Sequence, residues 1–273
     1  MQYYDAHRNM YSLEHRLLIF KNSKVASTSL WLFMARLLGH ANVKARQINL
    51  PFLQAWEINH HPEVFKVGFV RDPWDRLLSC YLQKKKDNRT SFYQKTGLRL
   101  DMSFEEFARA VCAIPDREAD QHFRSQYTFM VDHQGKVIAD FIGRFEHLED
   151  DFLEMCRQAK LPEEHLSKNN STKHVHYRSA YSPELAEAVA QRYAIDLELF
   201  GYTFAEPLSP AARYRWKAPL SEDLQLRIVR AKNQKLRYGL DALRAAPPLQ
   251  QPGGIRRIKN FLRRRANAIF NER

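Results

Sequence analysis

Apolar residues in this chain come in short unbroken runs and in longer helix-periodic stretches, separated by polar loops. Arg16-Leu17-Leu18-Ile19-Phe20 is one such run and reads as a buried strand. The polar loop Lys21-Asn22-Ser23-Lys24 follows. Ser27-Thr28-Ser29 then opens a helix with apolar positions at Leu30, Phe33, Met34, Leu37 and Leu38, closed by Gly39. The same unit recurs at Phe65-Lys66-Val67-Gly68-Phe69-Val70, where Asp72-Pro73 supplies an N-cap and a first-turn proline. That helix runs through Trp74, Leu77, Leu78 and Tyr81 into Lys84-Lys85-Lys86, cations suited to a helix C-terminus.

A third strand is expected over residues 137–145, followed by a helix from Leu148 to about Ala159. Ser103 and Ser182-Pro183-Glu184 start two further helices, and Gly201-Tyr202 closes the body. Strands alternating with helices imply an α/β fold with a central parallel sheet and right-handed crossovers. Ligands of such sheets sit beyond the C-terminal ends of the strands, where the loops after Phe20 and Val70 both lie. The expected organisation is a body over residues 1–205 and a basic helical extension with Pro/Gly linkers over residues 206–273.

Charge sharpens that division. The chain holds 43 Lys and Arg against 31 Asp and Glu, a net +12. Residues 1–205 carry 27 basic and 26 acidic side chains, residues 206–273 carry 16 and 5. The basicity belongs to the C-terminal segment, which argues against a uniformly basic nucleic-acid-binding domain. No run approaches a membrane-spanning length, and the N-terminus has no apolar signal core. Cys80, Cys112 and Cys156 are too scattered for a zinc site or redox pair and read as reduced thiols. A soluble cytoplasmic protein is expected.

In Lys24-Val25-Ala26-Ser27-Thr28-Ser29 a lysine and three hydroxyls stand at a helix N-terminus, where unpaired N–H groups and the positive dipole end favour an anion. Simple helix capping and a solvated lysine are the competing reading. The loop contains no glycine, unlike the G-x-x-x-x-G-K-[ST] phosphate loop, which disfavours magnesium-dependent nucleotide chemistry. Arg71 stands at a strand end beside a helix start, placed to grip a phosphate bidentately. Its alternative is an ion pair with Asp72 or Asp75, with Ser79 a small packing residue.

Taken together and in this order, the two motifs resemble the cofactor signatures of the sulfotransferases, in the carbohydrate (family 2) branch. Residues Lys24 to Ser29 resemble the 5′-phosphosulfate loop. Val70-Arg71-Asp72-Pro73 through Ser79 resembles the 3′-phosphate element, with Arg71 and Ser79 as the phosphate ligands. Gln121-His122-Phe123-Arg124-Ser125-Gln126 is similar to the family's His-x-x-x-Gln stretch, and Asn169-Asn170-Ser171-Thr172-Lys173 stands where a basic loop meets the adenosine phosphate. The likeness spans about residues 13–204.

The resemblance implies transfer of a sulfuryl group from 3′-phosphoadenosine 5′-phosphosulfate to a carbohydrate hydroxyl, without a metal and with adenosine 3′,5′-bisphosphate as product. The implied cofactor ligands are Lys24, Val25, Ala26, Ser27, Thr28, Ser29, Arg71, Ser79, Ser171 and Lys173. Lys24 would neutralise the leaving group. For the general base, His122 is the first choice and His60 the second, a surface or structural histidine being the competing reading for each. Residues 46–49, where relatives often carry a histidine at a strand end, read Arg-Gln-Ile-Asn. Alternatives are a lipid or small-metabolite acceptor, or a non-catalytic glycan- or polyanion-binding protein.

Beyond Phe204 the resemblance stops. Ser221-Glu222-Asp223 starts a basic helix expected to reach Gly239. After the Pro/Gly linker at 247–254, Ile255, Ile258, Leu262 and Ile269 share a face flanked by arginines. Residues 219–273 therefore suit an anionic membrane surface or an acidic polysaccharide, with a solvated tail as the alternative.

Overall fold

A computed structural model describes residues 9–40, 50–53, 58, 61–88, 90–132, 134–166, 176–207 and 211–245, with the backbone alone at 52–53, 211–212 and 234–245. Its sheet contains β1 (Asn9–Ser12), β2 (Leu17–Ile19), β3 (Phe52–Leu53), β4 (Phe65–Val70) and β5 (Phe141–Arg144) in the order β3-β1-β2-β4-β5. The pairs β2–β4 and β4–β5 are parallel, as the alternating units require. The edge pairs β1–β2 and β1–β3 are antiparallel, which the sequence pattern did not reveal. Asn9-Met10-Tyr11-Ser12 has no unbroken apolar run, and its place is set by pairing with β2 on one side and β3 on the other.

Both faces of the sheet are buried, and a period of two sorts its side chains. Leu17, Ile19, Val67, Phe69 and Phe141 pack with α1 (Ser27–Leu37) and α6 (Leu148–Gln158), through Leu30, Phe33, Phe152 and Met155. Leu18, Phe20, Val70 and Ile142 face the opposite layer. That layer holds α2 (Pro73–Asp87), α3 (Thr90–Thr96), α4 (Phe104–Ala113), α5 (Tyr127–Met130), α7 (Pro183–Arg192) and α8 (Ala194–Phe200). Gly68 lies on this face because a Cβ there would come within 2.1 Å of the Met130 sulfur.

The helix starts follow local chemistry. Asp72 caps α2 by accepting from the N–H groups of Trp74 and Asp75, with Pro73 in the first turn. Ser103 and Glu106 form a reciprocal capping box at α4, and Ser182 accepts from Leu185 N–H at α7. The third strand is shorter than expected. Only Phe141–Arg144 joins the sheet; Val137 pairs back onto Val131, and Phe145–His147 is a 3-10 turn.

Contacts group Met1–Gln234 into one unit and Lys235–Arg273 into another. The first includes Trp216 and the start of α9 (Glu222–Ala245), whose Leu224 and Ile228 are buried in the core. The backbone helix continues past Gly239 to Ala245, further than expected. The amphipathic segment and linker after residue 246, His60, residues 46–49 and the 169–173 loop with Ser171 and Lys173 lie outside the described residues. No helix among the described residues is long and apolar enough to cross a membrane.

Candidate active site

The loops after β2 and β4 meet beyond the C-terminal ends of the parallel strands. In the first, Lys24 and Ala26 both have left-handed backbone, φ 71° and 60°. Such conformations are uncommon without glycine and recur at ligand sites. Ala26 is the N-cap of α1 and has no side chain to satisfy its first N–H groups. The helix end therefore presents backbone donors and its positive dipole.

The second loop delivers Arg71, 5% exposed, into contact with the first. Its guanidinium donates to the Lys24 carbonyl at 3.2 Å and to Ser79 Oγ at 3.2 Å. Asp75 accepts from it at 2.8 Å, and the ring of Phe145 lies 4.0 Å below it. The ion pair expected of Arg71 is made with Asp75, and the guanidinium also meets Ser79, two turns along α2.

Lys24 Nζ donates to Gln83 Oε1 at 2.8 Å. Burial lowers its pKa to about 8; the thiol of Cys80 opposes the shift, and the nearby cations Arg71 and Lys84 add to it. Burial pushes the Cys80 thiol itself up to about 11, so it is an inert packing group. His122 sits on the same side of α2. Its Nδ1 lies 2.5 Å from Asp120 Oδ1 and its Nε2 lies 3.1 Å from Lys84 Nζ. Burial lowers the His122 pKa, Asp120 opposes that, and Lys84 and Lys24 reinforce it.

Four residues that sequence reasoning did not single out hold these parts together. Gln126, fully buried, accepts from Arg71 N–H at 3.0 Å, donates to Arg71 C=O at 2.8 Å and accepts from Asn22 Nδ2 at 3.1 Å. Asn22 also donates to Phe69 C=O. Arg76, buried from α2, donates to the carbonyls of Ser23, Gln121 and Arg124, so one guanidinium joins the Lys24 loop to the His122 segment. Asp196 accepts from the N–H groups of Gln126 and Tyr127 and fixes the far end of that segment. Gln126 lay within the family-like His-x-x-x-Gln stretch and Asn22 within the polar loop, while Arg76 and Asp196 carried no local signal of their role.

A separate carboxylate network closes the base of the Arg71 loop. Glu146 accepts from Asp72 N–H at 2.7 Å and from Tyr202 OH at 2.9 Å, while Tyr177 OH donates to Asp72 at 2.7 Å. Burial raises Asp72 to about 6, against the lowering effect of its hydrogen bonds. Tyr177 thereby stands against Asp72, the residue next to Arg71. His61 bonds Glu63 at the N-terminal edge of β4, the opposite end from Arg71. No group of acidic, Cys and His side chains able to hold a metal occurs among the described residues.

A family model described as "Sulfotransferase family" matches residues 7–203. Carbohydrate sulfotransferase 14 of Danio rerio is 27% identical over 237 aligned positions, covering 74% of this chain and 64% of the relative. The Mus musculus protein of that name is 27% identical over 161, covering 50% and 42%. Carbohydrate sulfotransferase 11 of Rattus norvegicus is 29% identical over 133, covering 41% and 36%. The chain therefore spans between about a third and two thirds of the length of these relatives. No solved structure matches significantly.

Proposed function

The chain belongs to the sulfotransferase family, and on that premise we propose that it transfers a sulfuryl group from 3′-phosphoadenosine 5′-phosphosulfate to a carbohydrate hydroxyl. One observation carries the reading: Arg71 hydrogen-bonds directly both to the Lys24 carbonyl, 47 residues away, and to Ser79, so the two motifs converge beside one helix N-terminus. The residues fit such a donor. An uncapped helix end with left-handed backbone at Lys24 and Ala26 suits one phosphate, and the buried Arg71–Ser79 pair suits a second.

When bound, the donor supplies a sulfuryl group whose departure leaves negative charge on a phosphate oxygen. Lys24 Nζ is the mobile cation that neutralises that charge. The N–H groups of Ser27, Thr28 and Ser29 hold the adjacent phosphate, and Arg71 with Ser79 holds the 3′-phosphate. His122 is the base. Its Nδ1–H is fixed by Asp120, so Nε2 is the atom that takes the acceptor's proton, and Asp120 balances the resulting imidazolium. A carbohydrate acceptor is supported by the names of the matching relatives. An acceptor screen separates it from a lipid or small metabolite.

Calorimetric titration with adenosine 3′,5′-bisphosphate tests the cofactor site. Wild type should bind, and Arg71→Ala should weaken binding roughly ten- to a hundredfold, the loss of a charge-assisted hydrogen bond. A folded wild type that does not bind would sink the reading and favour a glycan- or polyanion-binding protein.

A further inference from the structure

Lys84 is the first of three consecutive lysines at the C-terminal end of α2, a place where cations normally face water. Lys85 and Lys86 do so. Lys84 turns inward instead and is 6% exposed, its ammonium 4.6 Å from the centre of the Phe92 ring and 3.1 Å from Nε2 of His122. An ammonium can only donate, so the Nε2 it meets carries a lone pair. The remaining proton is then on Nδ1 and points at Asp120, which also accepts from His122 N–H at 3.0 Å and from Lys95 Nζ at 3.2 Å. The chain Lys95–Asp120–His122–Lys84 assigns every proton on the ring.

We propose that Lys84 is a positioning residue for sulfuryl transfer: by donating to Nε2 of His122 it keeps that nitrogen unprotonated as the proton-accepting atom. The proposal rests on the reading of His122 as base. Asp120 and Lys84 act on the imidazole in opposite senses. Asp120 fixes the Nδ1–H tautomer and by its charge would favour the imidazolium. Lys84 opposes premature protonation at Nε2, and Lys24 in the adjoining loop adds to it. The resting base is therefore a neutral imidazole over a wider pH range than Asp120 alone would allow. An arriving acceptor hydroxyl takes the place of the Lys84 ammonium at Nε2. Its proton passes to Nε2 as its oxygen bonds to sulfur, and the electron pair of the broken sulfur–oxygen bond leaves with the phosphate oxygen facing Lys24.

The test is the titration of the His122 ring by nitrogen-edited NMR on the full chain, alongside the pH dependence of kcat/KM. In wild type, His122 should titrate below the ordinary histidine range as the Nδ1–H tautomer. Lys84→Met should move the titration upward, Asp120→Asn downward, and Lys84→Arg should restore it. The acid limb of kcat/KM should follow, so that the deficit of Lys84→Met is about tenfold larger at pH 6 than at pH 8. Lys84→Gln, which keeps a donor and loses only the charge, gives the same direction should the methionine variant fail to fold. An unmoved His122 titration in a folded Lys84 variant overturns the proposal while leaving His122 as base. A moved titration with an unmoved activity profile instead overturns the base reading on which the proposal rests.

Discussion

The two walls of the site, one built on Arg71 and the other on Lys24, hold their cations in opposite ways. Arg71 is balanced: Asp75 accepts from it at 2.8 Å, Ser79 and the Lys24 carbonyl take further N–H groups, and Phe145 stacks beneath it. Lys24 has the neutral Gln83 as its acceptor and stands among Arg71, Lys84 and the cation-facing side of His122, with its pKa down to about 8. A balanced, rigid cation suits a charge already present on the bound molecule. A destabilised one gains most when new negative charge develops beside it, which is where electrostatic catalysis operates.

That contrast breaks most visibly in kinetics. Lys24→Ala should lower kcat by roughly 10²–10³-fold, the scale of one lost transition-state donor, with a much smaller change in bisphosphate affinity. A loss expressed wholly as affinity would make the two walls equivalent.

The next test uses pH. Lys24 has a pKa lowered to about 8 and so loses its proton as pH rises through that value, whereas an anionic ligand binds the protonated form. Bisphosphate affinity measured by calorimetry should therefore fall across pH 8 by no more than the small factor that Lys24→Ala costs, and level off at higher pH. Lys24→Met should bind more weakly but show no such dependence; a dependence that persists assigns it to another group.

The smallest effect belongs to the balanced wall. Ser79→Ala removes one neutral acceptor from a guanidinium that keeps Asp75, and should weaken bisphosphate binding by about 1 kcal/mol, roughly fivefold, without changing kcat. A larger loss in kcat than in affinity would place Ser79 on the reacting side.

Much of this was legible beforehand because it is local. Asp72-Pro73, Ser103 with Glu106, and Ser182-Pro183 each cap a helix through contacts within four residues, and the runs around Leu18, Phe69 and Ile142 alternate between two buried faces. The Lys24 and Arg71 motifs were visible for the same reason. The antiparallel β1 was not, since its pairing depends on a sheet edge and not on its own four residues.

The sequence by itself determined the order of the strand–loop–helix units, the helix starts and which side chains stand at the two strand-to-helix loops. Tertiary structure alone decided which charge meets which. Arg76, to which its sequence position gave no role, is a buried clamp between Ser23 and Arg124, 53 and 48 residues away. Lys84 read as one of three cations suited to a helix C-terminus and turns onto His122, 38 residues on. Helix period and capping are short-range and leave their mark in neighbouring letters. The partner of a buried charge is fixed only when distant segments pack together and leave it one place to donate.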